Sequence, residues 1–379
     1  MNVLYISSSV PGKGIHYNAA MLPVAMRSLG VNPLIVSAPG EADEGVRSHL
    51  LAYGLEVSDV RSLGLGGIKG LWASARELGS LLKSRQIDII HPFGFGQALR
   101  CWLAWRMAYP DKKPRLVTTF MAVRKVLGTE WLTRVVASAF FNYIGSEVCA
   151  ICTLEYRKML IAGVRRDRLH VVPLYVDVQQ FDQDMNMSSA TSFDFDSRLR
   201  GRRVITYLAA FRKGKGHDHL LKAASIVVAE HPDALFVLAG DGPLRRRMQQ
   251  LTDRLGLSGH VLFPGKVPRR QVPALLERTT IGVVPSLSET FCWAMIEPLL
   301  ANRPVVTTDV GFALDLAQAG GLIMVPRGSP EKLAAGISWL LKDPALGREI
   351  ASRGRTYVVE NCDINTVAAR YLDLYRTLL

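Results

Sequence analysis

Two carboxylates eight residues apart, Glu289 and Glu297, sit in the run PSLSETFCWAMIEPLLANRPVV (285–306). The β-rich IGVVP (281–285) delivers the chain to a turn at Ser286–Ser288, and a helical pattern begins near Phe291. A helix start leaves backbone N–H groups unbonded, and these receive anions such as a diphosphate. Glu289 would then lie beside the anion, at a sugar. Glu297, two turns down the helix on roughly the same face, could take a pair of ribose hydroxyls. A capping acid and a solvated carboxylate fit the spacing equally well. A second run, AAFRKGKGHDHLLKA (209–223), puts Arg212 and Lys215 between the β-rich VITYLA (204–209) and a helix carrying Leu220, Ala223, Ala224 and Val227. Gly214 and Gly216 keep that turn open. Two cations there suit a leaving diphosphate, whose charge grows as a glycosidic bond breaks. A basic surface turn is the alternative, and the phosphate-loop pattern GxxxxGK[ST] is absent.

Weaker signals surround these. In VLAGDGPLRRRM (237–248), Gly240 and Gly242 flank Asp241 directly after a strand, where glycine lets a ligand approach the backbone. A tight turn would need the same residues. In SSSVPGKGIHYNAA (7–20), Gly12 and Gly14 follow the first strand and could reach donor phosphates, but the spacing is not GxGxxG, so no nicotinamide site is read. Asp182/Asp184 and Asp194/Asp196 form short DxD patterns in a polar stretch, and no metal is expected from them. Cys149 and Cys152 form a CxxC inside the apolar EVCAICT, with no second pair to complete a zinc site. Five cysteines and no leader pattern at the N-terminus argue against a disulfide framework.

The elements that must hold these residues alternate, β-rich run then helix, which is the signature of parallel α/β sheets. Strand candidates in the first half are 3–7, 33–37, 87–91, 115–120, 148–152 and 169–173, with a helix over Leu71 to Lys83. The polar run 182–198 reads as a linker. The alternation restarts at 204–209, 235–240, 260–265, 281–285, 304–308 and 322–326. Two such series imply two Rossmann-like domains facing across a cleft, with ligands beyond the C-terminal strand ends. A last helix carries Val367, Tyr371, Leu374, Tyr375 and Leu378 on one face and could pack on either domain.

The 379 residues are 49% hydrophobic with net charge +13, enough for two cores. No apolar run reaches membrane-spanning length, so the expected location is the cytoplasm. Residues 1–180 carry 21 Lys+Arg against 13 Asp+Glu. Trp72, Trp102, Trp105 and Trp131 lie in the same half, Trp102 and Trp105 near Arg100 and Arg106. Aromatics beside cations suit an anionic membrane surface at the inner leaflet. They would equally fill a core. No aromatic-rich basic motif for nucleic acid is present.

Taken together, the ordered set resembles glycosyltransferase family 4, the retaining enzymes of GT-B architecture. PSLSETF…IEPLLANRPVV looks like the family's E-x7-E segment, RKGKGHDHLLKA like its donor loop, and LAGDGPL like its GDGP turn. The likeness runs through nearly all of 200–379 and more weakly through 1–180. It implies an N-terminal acceptor domain (1–180), a linker (181–200), a nucleotide-sugar domain (201–360) and a final helix (361–379) returning to the first domain. It implies that Lys215 and Arg212 neutralise the diphosphate, Glu289 contacts the transferred sugar and Glu297 the ribose. Backbone groups at Phe291, Cys292 and Trp293 would hold phosphate oxygens, with Gly14 and Gly240 also at the donor and Val267 near the base. Four features depart from the family, one being that Arg212 of the donor loop sits closer to Lys215 than in many members. Met121 stands where a histidine usually follows RLVTTF; His91, at the end of the preceding strand, would substitute in the acceptor region, though a structural histidine fits that position better. Cys292 replaces the usual glycine, and Pro173-Leu174-Tyr175-Val176-Asp177 replaces Pro-Asn-Gly-Val-Asp. The implied reaction is metal-independent transfer of a sugar from a nucleotide-diphosphate sugar to an acceptor hydroxyl, in cell-surface polysaccharide or glycolipid synthesis. A non-catalytic nucleotide-sugar binder and a nucleotide-sugar epimerase are the alternatives.

Overall fold

The computed structural model describes residues 1–6, 15–38, 50–55, 57–120, 130–188 and 191–379. The chain divides into two compact units, Met1–Val176 with Ile364–Leu379, and Asp177–Asp363.

Unit 1 holds β1 (Asn2–Ile6), α1 (Ile15–Ser28), β2 (Asn32–Ser37), β3 (Val57–Asp59), α2 (Gly67–Arg85), β4 (Ile89–Pro92) and α3 (Phe95–Ala108). Next come β5 (Val117–Phe120), α4 (Glu130–Ile144), β6 (Glu147–Ala150), α5 (Thr153–Ile161) and β7 (Leu169–Val171). Its strands run parallel in the orders β3-β2-β1-β4 and β5-β6-β7. Parallel bridges Ile90–Leu116 and Phe93–Thr119 join the two sets edge to edge. Burial on both faces explains the near-continuous apolar strands, such as Val3, Leu4, Tyr5 and Ile6.

Unit 2 opens with α6 (Val178–Asn186) and α7 (Asp196–Leu199). It continues through β8 (Arg203–Leu208), α8 (His217–Glu230), β9 (Ala234–Ala239), α9 (Arg245–Arg254), β10 (Val261–Gly265), α10 (Val272–Glu277), β11 (Ile281–Val284) and α11 (Trp293–Leu300). It closes with β12 (Val305–Thr308), α12 (Ala313–Gln318), β13 (Ile323–Val325), α13 (Pro330–Lys342) and α14 (Pro344–Cys362). Its parallel strand order is β10-β9-β8-β11-β12-β13, with the order reversing between β8 and β11. Ligands of such sheets bind beyond the strand ends at that reversal. The two loops leaving β8 and β11 are the two that carry Lys215 and Glu289.

Every strand expected from the sequence is present. The added one, β3, is a three-residue polar edge strand without an apolar alternation to reveal it. The stretch read as a linker differs more. Asp177 caps α6, its carboxylate accepting from the Gln180 amide at 2.9 Å. Phe181 and Met185 pack on Val272 and Leu276, and Phe193 and Phe195 pack on the sheet core. These apolar residues are too few to impose a periodicity on their polar neighbours. Unit 2 therefore begins at Asp177, ahead of the boundary expected at 201.

The last helix, α15 (Ile364–Arg376), belongs to unit 1. Ile364, Val367, Ala368, Tyr371, Leu372 and Tyr375 are buried with Val3, Tyr5, Leu22, Ile89 and Val117. Among the described residues no helix is long and apolar enough to cross a membrane.

Candidate functional site

The site grows from two loops of unit 2 that are bonded to each other. The turn after β8 carries Arg212 to Gly216, and the turn after β11 carries Pro285 to Cys292. The Leu287 amide donates to the Gly214 carbonyl at 2.8 Å. A Cβ at Gly216, whose φ is +70°, would stand 1.9 Å from the Pro285 carbonyl oxygen, so only glycine allows this approach. From the other side, the Phe312 amide donates to the Thr290 carbonyl at 2.9 Å, and a Cβ at Gly311 would meet that carbonyl oxygen at 2.0 Å. The backbone on either side of Glu289 is therefore braced by two neighbouring turns.

That bracing brings Lys215 and Glu289 together as an ion pair, Nζ to Oε1. The lysine side chain is 32% exposed and the carboxylate 14%. Ser286, fully buried, donates from Oγ to the same Oε1 at 3.0 Å. Behind it the buried Tyr207 hydroxyl lies 3.0 Å from Ser286 Oγ and 2.9 Å from the Lys215 carbonyl oxygen. Thr308 Oγ1 donates to the Ser286 carbonyl and fixes that turn from β12. His217, the first residue of α8, stacks on Phe211 with ring centroids 4.2 Å apart. Burial, helped by the Lys215 charge, lowers its pKa to about 4, so it stays neutral beside the pair.

Glu289 lies in the loop ahead of α11, which starts at Trp293, so the two glutamates do not share one helix. Glu297 is the fifth residue of α11 and half-buried. Burial pushes its carboxyl up to about 7, and the Arg269 charge pulls against that rise. Arg269 also lies over the Trp293 ring, 5.5 Å from its centroid. Cys292 stands immediately before α11 with φ +63°. A residue with a Cβ pays about 1–2 kcal/mol to hold that left-handed conformation. Burial and the Glu289 charge push its thiol pKa well up, against Lys215 and the amides of Ala294 and Met295. The thiol therefore sits neutral against the amides that open the helix. Phe291 points into the core against Phe312 and Trp293.

Arg212 is exposed at the rim of the same turn. Gly240 allows a close approach within the turn: a Cβ there would lie 2.0 Å from the Ala209 carbonyl oxygen. The Phe211 amide in turn donates to the Asp241 carbonyl at 3.0 Å. Val267, after β10, is half-buried against the cores near Leu262 and Val272. Gly14 and Met121 lie outside the described residues. Of its two readings His91 takes the structural one, a core group rather than an acceptor-facing one. Its Nδ1 meets Tyr375 Oη, its Nε2 meets Thr119 Oγ1 at 2.7 Å, and burial lowers its pKa to about 3. One aspartate of each DxD is engaged as well: Asp182 binds Arg355 through both oxygens, and Asp196 pairs with Arg278. Among the described residues, no group of three metal-ligating side chains comes together. Sequence reasoning passed over Tyr207, Ser286 and Gly311. A serine in a turn and a tyrosine in a strand are too common to stand out before the loops are seen to meet.

This architecture, two parallel Rossmann-like sheets with the last helix returned to the first unit, is that of the GT-B glycosyltransferases. The family described as Glycosyl transferases group 1 matches residues 190–357, and that described as Glycosyltransferase Family 4 matches 18–180; the chain belongs to these glycosyltransferases. Among its relatives is an alpha-D-kanosaminyltransferase of Streptomyces kanamyceticus, 26% identical over 48% of this chain and 47% of that protein. Another is the phosphatidylinositol N-acetylglucosaminyltransferase gpi3 subunit of Schizosaccharomyces pombe, 29% identical over 43% of this chain and 34% of that one. The chain spans about half the length of the curated relatives it matches. Of solved structures, Anabaena HepE in complex with UDP-glucose superimposes with a TM-score of 0.79 at 18% identity, covering all of both chains. A glycosyltransferase of Rickettsia africae does so with the same score over 98% of its length.

Proposed function

We propose that this chain transfers a sugar from a nucleoside-diphosphate sugar, held by residues 177–363, to an acceptor hydroxyl, with retention at the anomeric carbon. One observation carries the reading: Lys215 and Glu289 meet directly ahead of an eight-residue helix, in a loop pair that neighbouring turns brace. Lys215, with Arg212 at the rim, meets the charge that builds on the diphosphate as the bond to the sugar breaks. Glu289 holds a sugar hydroxyl, and Glu297 the ribose. The UDP and UDP-glucose bound by HepE support a uridine donor. The cations take the role that a metal would otherwise fill, so EDTA is expected to leave UDP binding unchanged. The test is a thermal-shift screen of nucleoside diphosphates and their sugars, since ligand binding raises the melting temperature with the logarithm of ligand excess. Donor consumption with no acceptor present would favour the epimerase reading. Saturable binding with neither transfer nor hydrolysis would favour a binding protein.

The acceptor reading is a saccharide or lipid-linked hydroxyl reached at an anionic membrane, in polysaccharide or glycolipid synthesis. The tryptophans divide: Trp105 is buried and Trp102 packs on the core, while Trp72 (52%) and Trp131 (53%) are exposed. The outer face of α4 continues from Trp131 through Leu132, Val136 and Tyr143, all exposed, and Ile68 stands beside Lys69 near the start of α2. An apolar helix face on a basic unit suits anionic lipid. Flotation with vesicles containing phosphatidylglycerol tests it, and no co-flotation at low salt would remove the membrane from the reading.

A further inference from the structure

The donor-site reading leaves one difficulty, which the buried side of the site resolves. The lysine assigned to the diphosphate is spent on Glu289 in the free protein. Binding must therefore break an ion pair whose carboxylate is 14% exposed, and a carboxylate left alone at that depth is costly. The hydrogen bonds behind it decide what happens next. An ionised Glu289 only accepts, so the single Ser286 hydroxyl proton points to Oε1. Tyr207 is then the donor in its contact with Ser286, and its one proton is shared between Ser286 Oγ and the Lys215 carbonyl oxygen. The chain Tyr207→Ser286→Glu289 is thus already aligned toward the oxygen that Lys215 vacates. Hydrogen bonds to a charged acceptor are the strong ones, and aligned donors polarise one another.

We propose that the Lys215–Glu289 pair is the resting state of the donor site, and that Ser286, backed by Tyr207, is the positioning residue that holds the Glu289 carboxylate when Lys215 moves to a diphosphate. This rests on the donor-site reading given above. Lys215 and the diphosphate form one ion pair as another is broken, no proton is transferred, and Oε2 of Glu289 is presented to the sugar.

Calorimetric titration with UDP, GDP and ADP tests the exchange without needing the true sugar. Glu289→Gln removes the competitor for Lys215 and is expected to tighten the preferred nucleotide about fivefold. Ser286→Ala strands Glu289 and is expected to weaken it about tenfold, the scale of one hydrogen bond to a charged group. Tyr207→Phe should weaken it about threefold, without adding to Ser286→Ala. In the Glu289→Gln background, Ser286→Ala should change nothing. A purely structural role for Ser286 would lower affinity equally in both backgrounds, and that result overturns the proposal. So does unchanged or weaker nucleotide binding by Glu289→Gln. Tyr207→Phe keeps the test open if Ser286→Ala fails to fold. Wild-type protein that binds none of the three nucleotides defeats the donor-site reading itself, an outcome separate from the other two.

Discussion

Each unit buries tyrosine hydroxyls in a polar cluster against its sheet, and the two clusters are opposites. In unit 1, Tyr375 and Thr119 close on the two ring nitrogens of His91, and Tyr371 closes on Thr119 at 2.7 Å. All four side chains are buried, and the histidine is held neutral. In unit 2, Tyr207 and Ser286 are equally buried, but their chain ends on a carboxylate and an ammonium that reach the surface. A sealed cluster whose partners are all protein side chains contributes stability and register. A cluster with one replaceable partner at its mouth can exchange that partner for a ligand. The exposure of the final charged pair, rather than residue type, separates the two.

The largest expected effect lies at the open cluster. Lys215→Ala or Glu289→Ala should lower transfer by ~10²–10³, the usual cost of losing one group that stabilises a leaving anion. The melting temperature should move by only a few degrees. Near-normal turnover of either variant with its donor would erase the distinction between the clusters. The reverse pattern is expected at the sealed one. His91→Ala takes one hydrogen-bond partner from each of two buried hydroxyls, Tyr375 and Thr119, and opens a cavity, for roughly 3 kcal/mol of lost stability in urea unfolding. UDP affinity should stay within about twofold.

Acid sharpens the contrast. His91 and His217 have folded pKa values lowered to about 3 and about 4, below the ordinary 6.5. The unfolded chain takes up these protons first, so their contribution is complete above about 6.5 and is lost as pH falls toward 4. A slope on the order of 1 kcal/mol per pH unit for each imidazole follows. Glu297 acts in the opposite sense. Its folded pKa, raised to about 7, favours the folded state most at low pH, and that contribution fades as pH rises from about 4.5 to 7. Melting curves across pH 4 to 8 check the sum, and a flat acid limb would mean the imidazoles are not sealed. The smallest effect is expected from Cys292→Gly. Relief of the left-handed backbone is nearly offset by the greater freedom of glycine when unfolded, leaving stability within about 1 kcal/mol. Removing the thiol from the helix start should tighten UDP severalfold, and weaker binding would show that the thiol helps rather than crowds the phosphate.

Both sheets were legible in the sequence because buried parallel strands are written as unbroken β-branched runs, such as Val305–Thr308 and the Val204, Ile205 and Thr206 of β8. Glu289, Lys215 and Arg212 were singled out by the ordered set of segments that resembles the family, since charge at a strand-to-helix turn by itself fits an ordinary surface turn equally well. Three things were not. The α6 segment hid its few apolar residues, Phe181 and Met185, among aspartates and glutamines. His91 at a strand end looks alike whether the space above it is solvent or α15. Ser286 and Tyr207 become meaningful only through a contact 79 residues apart in the chain, which no local pattern encodes.

The return of α15 to unit 1 has a consequence for how the protein is made. Residues 177–363 are contiguous and can assemble as soon as they leave the ribosome, whereas the first-translated sheet lacks Val367, Tyr371 and Tyr375 until residue 376 has emerged. The earliest strands are thus the last to be sealed, and during that interval Tyr5 and His91 face water or a chaperone. A plasmid encoding 177–363 should yield a soluble product, while one encoding 1–176 should yield an aggregate that co-expressed 364–379 rescues.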